Sequence, residues 1–276
     1  MLITKYKGSK LEIKKLMKKI KNNPLVSLII PYQNQQQMIT SLLQSILTQN
    51  QTNVECIFIN DHSTDGTSKV VESFCKHHSI SSRHLSLVHT TGKGQAIKYA
   101  LDYSNGVYMM ALSPFVILQP HAIEQFISII PEKEEKGQNV VAVYADQRLF
   151  QTYSKYQYIG EKQNTTIKEI KDIFCESFWP SPVLFNIEAI KETGGWPVDF
   201  LGEGKYFSEL VVLANLYSVG RFIHIPQVLS FYLQANIEDR MRKDYSPVLQ
   251  VLMRKVFSQI QTSQEFVKDE KISSKI

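Results

Sequence analysis

From residue 24 to residue 146, short unbroken apolar runs alternate with segments in which apolar side chains recur every three or four positions. Residues 26–30 form one such run, closed by Pro31-Tyr32-Gln33-Asn34. Ile39, Leu42, Leu43, Ile46 and Leu47 then fall on one helical face. Val54, Cys56, Ile57, Phe58 and Ile59 make a second buried run, which breaks into the polar stretch Asn60-Asp61-His62-Ser63-Thr64-Asp65-Gly66-Thr67. The same test predicts a helix over 68–78, a strand over 85–89, a loop over 90–94 and a helix over 95–103. It then predicts a strand over 107–112, a helix over 120–130 opened by Pro120, and a strand over 140–144. Repeated strand–helix alternation of this kind predicts a parallel, doubly wound α/β sheet.

After Asp146 the rhythm fails. Residues 147–166 are polar and aromatic, with Tyr153, Tyr156 and Tyr158, and read as loop or irregular strand. A helix is expected over 167–177, a short extended piece over 183–185, and a helix over 186–193 ended by Gly194-Gly195. A long apolar helix over 206–219 stops at Gly220, and strands over 222–225 and 228–232 flank a turn at Pro226. An amphipathic helix over 246–260 and a charged tail complete the chain. This divides it into a head (1–23), an alternating part (24–146), an irregular part (147–235) and a C-terminal helix with tail (236–276).

Charge changes the picture only at the head. Residues 1–22 hold eight Lys and one Glu, a net +7, so the rest carries −2 of the total +5. Within residues 9–22, Ile13, Leu16, Met17 and Ile20 share one face among lysines, a basic amphipathic helix suited to an anionic membrane surface or to docking on a protein. Charge gathered in one helix does not make the basic face that nucleic acid needs, so no nucleic-acid partner is expected. No apolar run approaches the length of a membrane span, and residues 1–23 lack the apolar centre of a secretory signal. Cys56, Cys75 and Cys175 are odd in number and widely spaced, which favours a reducing compartment over disulfides or zinc. A cytoplasmic protein is expected, its basic helix docking on protein or touching the inner face of the membrane.

The candidate chemistry begins where the second strand opens into its polar loop. In an open α/β sheet, ligands bind at the carboxyl ends of the strands, and an Asp there accepts hydrogen bonds from a sugar hydroxyl or a base N–H. Asp61 is so placed, while Asp65 is suited to capping the following helix. Asp146, ending the fifth run, is a further candidate. Trp179 and Trp196 suit either an acceptor groove or the core. Gly92-Lys93-Gly94 lacks phosphate-loop spacing, and the histidines at 77, 78, 84 and 89 lack metal-ligand spacing.

In order, PLVSLIIPYQN, VECIFINDHSTDGT, GKGQAIKYAL and GVYMMALSPFVILQP resemble the N-terminal half of a family 2 glycosyltransferase of the GT-A fold. PSPVLFNIEAIKETGGW and SELVVLANLYSVGRFIHIP resemble that family's acceptor half, so the resemblance spans roughly residues 24–235. It implies a Rossmann-like, mostly parallel sheet flanked by helices, with a nucleotide-sugar-binding half over 24–146 and an α+β acceptor half over 147–235. It also implies inverting transfer from a nucleotide-sugar, a UDP-sugar being the expected donor, to a glycan, lipid-linked or protein acceptor. Carried over, it places Pro31, Tyr32, Asn34, Asp61, Ser63, Gly92, Lys98 and Ser113 against the donor. Glu209 is the base, counted back from Gly220, with Glu203 as a second choice.

The departures are equally specific. Gln33 and Lys98 replace the usual residues of the first loop and third helix, and Leu233 follows Tyr232 where an Arg is usual. Arg240 and Arg242 lie near enough in sequence to substitute. Where the family carries the two carboxylates of L-D-x-D, which hold a divalent Mg²⁺ or Mn²⁺, this chain reads Leu112-Ser113-Pro114-Phe115. The metal that the resemblance implies has lost its usual ligands. Two readings stay open: a transferase that works without that metal site, and a catalytically inactive relative serving as a binding or partner subunit of a glycosylation assembly.

Overall fold

The structure, a computed structural model, describes residues 25–49, 53–135, 139–153, 155–162, 166–174, 182–198, 208–234 and 254. The helices expected over 9–22 and 246–260 lie outside the described residues, as do Cys175, Trp179, Glu203, Arg240 and Arg242.

The strands are β1 (Val26–Tyr32), β2 (Val54–Asn60), β3 (Ser82–Ser86), β4 (Tyr108–Ala111), β5 (Val116–Leu118), β6 (Val140–Tyr153), β7 (Lys155–Lys162), β8 (Val183–Asn186) and β9 (Arg221–Gln234). The helices are α1 (Ile39–Leu47), α2 (Thr67–His77), α3 (Lys93–Leu101), α4 (Ala122–Glu135), α5 (Ile187–Glu192) and α6 (Ser208–Leu216), with a 3₁₀ turn at Ile170–Phe174. They build one sheet in the order β3-β2-β1-β4-β8-β6-β9-β5, with β7 paired to β6.

The apolar runs are continuous because the central strands are covered on both faces. Along β1, Leu28 and Ile30 pack with Leu42, Leu43 and Phe126 of α1 and α4. Ile29 points the other way, into a layer with Ile97 of α3 and Val211 and Leu213 of α6. In β2, Phe58 and Ile59 divide in the same manner.

Strands β3, β2, β1 and β4 are parallel, as the alternation predicts. The sheet as a whole is mixed, because β8 inserts antiparallel between β4 and β6. Four local expectations are corrected. The edge strand β3 starts at Ser82 and not at residue 85, since pairing with Cys56–Asn60 sets its register and its outward positions are polar. Residues 147–153 and 155–162 belong to the antiparallel strands β6 and β7, whose register shifts between Leu149 and Phe150. Pro226 does not end a strand: β9 runs through it, and the register slips between Ala145↔Ile225 and Asp146↔Val228. Proline has no N–H for the ladder, so a bulge is where a strand accommodates it. The helix expected over 167–177 is a 3₁₀ turn within its described part, and β5 is a strand that the periodicity missed.

Gly106 sets β4 against β1. Its N–H donates to Ser27 Oγ at 3.0 Å, and Ser27 Oγ donates to Glu55 Oε1 at 2.6 Å. A Cβ at Gly106 would lie 2.7 Å from the Ser27 backbone nitrogen and 2.7 Å from the Tyr108 carbonyl oxygen. Backbone cannot swing aside as a side chain can, so we expect Gly106→Ala to destabilise the fold by about 1–3 kcal/mol. Thermal denaturation checks this, and an unchanged midpoint would refute the tight approach.

Candidate functional site

The loops leaving β1 and β2 are sewn together at the carboxyl edge of the sheet. Asn34 adopts a positive φ of 52°, and its Oδ1 accepts from the backbone N–H of Thr64 at 2.8 Å and of Asp65 at 3.2 Å. In return its own N–H donates to Ser63 Oγ at 3.1 Å, while Ser63 N–H donates to Asn60 Oδ1 at 2.7 Å. Asp65 accepts from the N–H of Thr67, the first residue of α2, at 3.0 Å and from Gln36 N–H at 3.2 Å, which ties the loop after β1 to the start of that helix. The hydrogen bond from the Thr67 hydroxyl, aided by these N–H groups, holds the Asp65 carboxyl below the usual range. Pro31 and Tyr32 are buried at the end of β1, where the Tyr32 hydroxyl reaches Ser68 Oγ at 3.3 Å. Gln33 and Asn34 are exposed, and Gln33 Nε2 donates to Thr90 Oγ1 at 2.7 Å.

Asp61 is 4% exposed and braces the loop that enters α3. Its Oδ1 accepts from Thr91 N–H at 2.7 Å and from the Thr91 hydroxyl at 3.2 Å, and its Oδ2 from Gly92 N–H at 2.8 Å. Gly92 sits at φ 87°, a conformation that costs glycine little and other residues more. Sequence reasoning placed Asp61 at this edge but did not foresee that it grips the glycine loop.

That grip presents Lys93, the first residue of α3, to the first turn of α6. There the Lys93 ammonium forms a short ion pair with Glu209 Oε1, while Ser208 Oγ donates to Glu209 Oε2 at 3.2 Å. The Glu209 and Lys93 side chains are 20% and 34% exposed. Burial works to raise the Glu209 pKa, but the adjoining ammonium, with the Ser208 hydroxyl, outweighs it and holds the carboxyl below its ordinary value. Among the described residues, Lys93 is the charged group acting on Glu209. Lys93 is a site residue that sequence reasoning passed over. Its signal was its place between Gly92 and Gly94, at the junction of loop and helix. Lys98 lies exposed in the last turn of α3, and the structure does not bring it to this cluster.

At the end of β4, Ser113-Pro114-Phe115 form a tight turn. Ser113 Oγ accepts from Phe115 N–H at 3.4 Å, and the Ser113 carbonyl accepts from Val116 N–H at 2.9 Å. The Phe115 carbonyl accepts from Leu233 N–H at 2.8 Å, and its ring lies 6.2 Å from that of Tyr232. A hard divalent cation takes oxygen ligands, chiefly carboxylates. The side chains of this turn offer one hydroxyl, so they do not fit the metal that the resemblance implies. Among the described residues, no three His, Cys, Asp or Glu side chains gather as metal ligands.

Asp146 pairs with His224 at 2.9 Å, and the Tyr144 ring stacks on the imidazole at 5.1 Å. Burial pushes the Tyr144 hydroxyl up to about 12. Trp196 is core, set edge-on to Phe185 at 5.7 Å. No helix of the described residues is long and apolar enough to cross a membrane.

Solved structures share this architecture. TarS of S. aureus, residues 1–349 with UDP-GlcNAc, superposes with a TM-score of 0.62 at 16% identity, covering 84% of this chain and 65% of that one. The mannosyltransferase PcManGT of Pyrobaculum calidifontis, with GDP-Man and Mn²⁺, gives 0.53 at 16% identity, covering 82% and 64%. The fold is thus GT-A, a curled α/β sheet flanked by helices. In sequence, an uncharacterised glycosyltransferase of Rickettsia typhi is 29% identical over 161 residues, covering 57% of this chain and 47% of that protein. The poly-β-1,6-N-acetyl-D-glucosamine synthase of Staphylococcus epidermidis is 23% identical over 192 residues, covering 64% and 43%. The chain therefore spans about half the length of the curated relatives it matches. Residues 27–193, more than half of the sequence, match the profile of glycosyl transferase family 2, and the chain belongs to that family.

Proposed function

We propose that this protein transfers a sugar, with inversion, from a nucleotide-sugar to a hydroxyl-bearing acceptor, using Glu209 as the base. The observation that supports this reading is the meeting of Glu209, in the first turn of α6, with Lys93, at the start of α3, near the carboxyl edge of the sheet. In the reaction, Glu209 takes the proton of the acceptor hydroxyl as its oxygen attacks the anomeric carbon. The bond from that carbon to the diphosphate breaks on the opposite face, and the diphosphate leaves with the electron pair. A carboxylate-poor turn at Ser113 leaves cationic side chains to stabilise that charge, and among the described residues Lys93 is placed to do so. We assign the donor pocket to Pro31, Tyr32, Asn34, Asp61, Ser63, Gly92 and Ser113, with Lys98 at its periphery. Asp61 has a double part, bracing the glycine loop and offering its remaining lone pairs to the ribose or base.

UDP is the nucleotide we favour, because the TarS structure holds UDP-GlcNAc. A glycan is the favoured acceptor class, since the staphylococcal relative is named as a polysaccharide synthase. Titration calorimetry of the full chain with UDP and GDP, with Mn²⁺ and with EDTA, tests the reading. We expect binding in both conditions. Absence of binding in both would leave the fold without its donor.

A further inference from the structure

We propose that the Lys93–Glu209 pair is a latch on the base, opened when the diphosphate of the donor draws Lys93 away. This rests on the reading of Glu209 as base and deepens it.

Four features of the pair support a latch over a fixed structural bridge. Its two members come from distant parts of the chain and face each other at the carboxyl edge of the sheet, where open α/β sheets bind their ligands. The backbone beneath Lys93 is held independently, because Asp61 grips the N–H groups of Thr91 and Gly92. Only the flexible lysine stem needs to turn for the ammonium to change partners, with no cost in loop rearrangement. Glu209, for its part, is supported after Lys93 departs: the Ser208 hydroxyl donates to its other oxygen, and it lies in the first turn of the nine-residue α6, where the helix dipole favours a carboxylate. Finally, a diphosphate carries more negative charge than one carboxylate, so at equal distance it is the stronger partner for the ammonium.

The latch has a chemical consequence. In the unliganded protein the ion pair occupies the oxygen that must take a proton, and the base is weak. Loss of the ammonium to the donor frees that oxygen and strengthens the base at the moment the leaving group arrives. An acceptor that enters first meets an engaged carboxylate and is not activated.

The experiment follows the Glu209 side-chain carboxyl by ¹³C NMR in the full chain, its signal assigned by its loss in Glu209→Gln. Titrations are run on the free protein, with saturating UDP, with inorganic pyrophosphate, and on Lys93→Met without ligand. We expect the free protein to show Glu209 titrating below an ordinary glutamate. UDP and Lys93→Met should each move that titration upward, and pyrophosphate should reproduce the effect of UDP if charge opens the latch. UDP that binds by calorimetry yet leaves the Glu209 titration in place overturns the latch alone. A Glu209 titration unchanged in folded Lys93→Met also overturns it, by showing that the pair has no hold on the base. Failure of UDP and GDP to bind at all overturns the donor reading, and the latch with it.

Discussion

Replacing Glu209 with Gln is expected to lower kcat about 100- to 10,000-fold, the range that a positioned general base contributes. Donor affinity should change far less, because in the proposed mechanism the carboxylate acts on the acceptor proton and not on the nucleotide. The amide keeps the size of the side chain and its place in the first turn of α6, so the fold should persist. One detail separates this from loss of a structural ion pair: the neutral amide in Glu209→Gln leaves Lys93 free, so the affinity for a diphosphate should hold or rise. Measuring kcat and donor Kd on the same preparation decides the matter. A variant with unimpaired turnover would remove Glu209 from the chemistry and return the choice of base to residues elsewhere in the acceptor half.

Asp61→Asn should have the largest effect on donor binding. Each oxygen of Asp61 accepts backbone N–H in a nearly closed environment, from Thr91 and Gly92. Asparagine keeps one acceptor and turns an NH₂ toward the second N–H, so one buried donor loses its partner and a charge-assisted bond is lost. Such bonds contribute roughly 1.5–3 kcal/mol. Because the loop they hold presents Lys93, the loss should appear as a weakening of UDP binding by about 10- to 100-fold, together with a lower melting temperature. If donor affinity and stability are both untouched, the loop does not depend on Asp61 and the proposed pocket loses its most buried polar member.

How far these features are legible in the sequence depends on the range of the interactions that create them. The strands β1 and β2 are readable because their central positions are apolar and covered on both faces. Strand β3 is not readable in its register, since an edge strand with Ser82, Arg83 and His84 carries little apolar signal and takes its alignment from Cys56–Asn60. Counting back from Gly220 singles out Glu209, and the structure shows why that position is a glycine. A Cβ there would meet the Asn139 carbonyl oxygen at 2.6 Å, so the position is pinned against the start of β6. The partner of Glu209 could not be found in this way. Lys93 and Glu209 are 116 residues apart, and only the folded sheet brings α3 and α6 together. The resemblance points instead to Lys98, as a donor-side residue, and it lies exposed more than a turn further along.

The Ser113 turn shows the opposite case, a departure that sequence exposes and structure explains locally. Phe115 carries no metal ligand, but its carbonyl pairs with Leu233 and its ring lies beside Tyr232. The turn that the family uses for a cation is here tied to β9 by backbone pairing and an aromatic contact. Phe115 thus joins the end of β4 to β9, through its backbone carbonyl and through its ring.

The proposed function requires that a nucleotide-sugar be broken at this edge of the sheet, by a carboxylate and an ammonium. Its most direct test is the release of free nucleotide from UDP-GlcNAc by the full chain, followed with Mn²⁺ present and again in EDTA. Release is expected in both conditions, with the EDTA rate retained in wild type and lost in Glu209→Gln. Release that requires Mn²⁺, or that proceeds equally well without the Glu209 carboxylate, would contradict the claim.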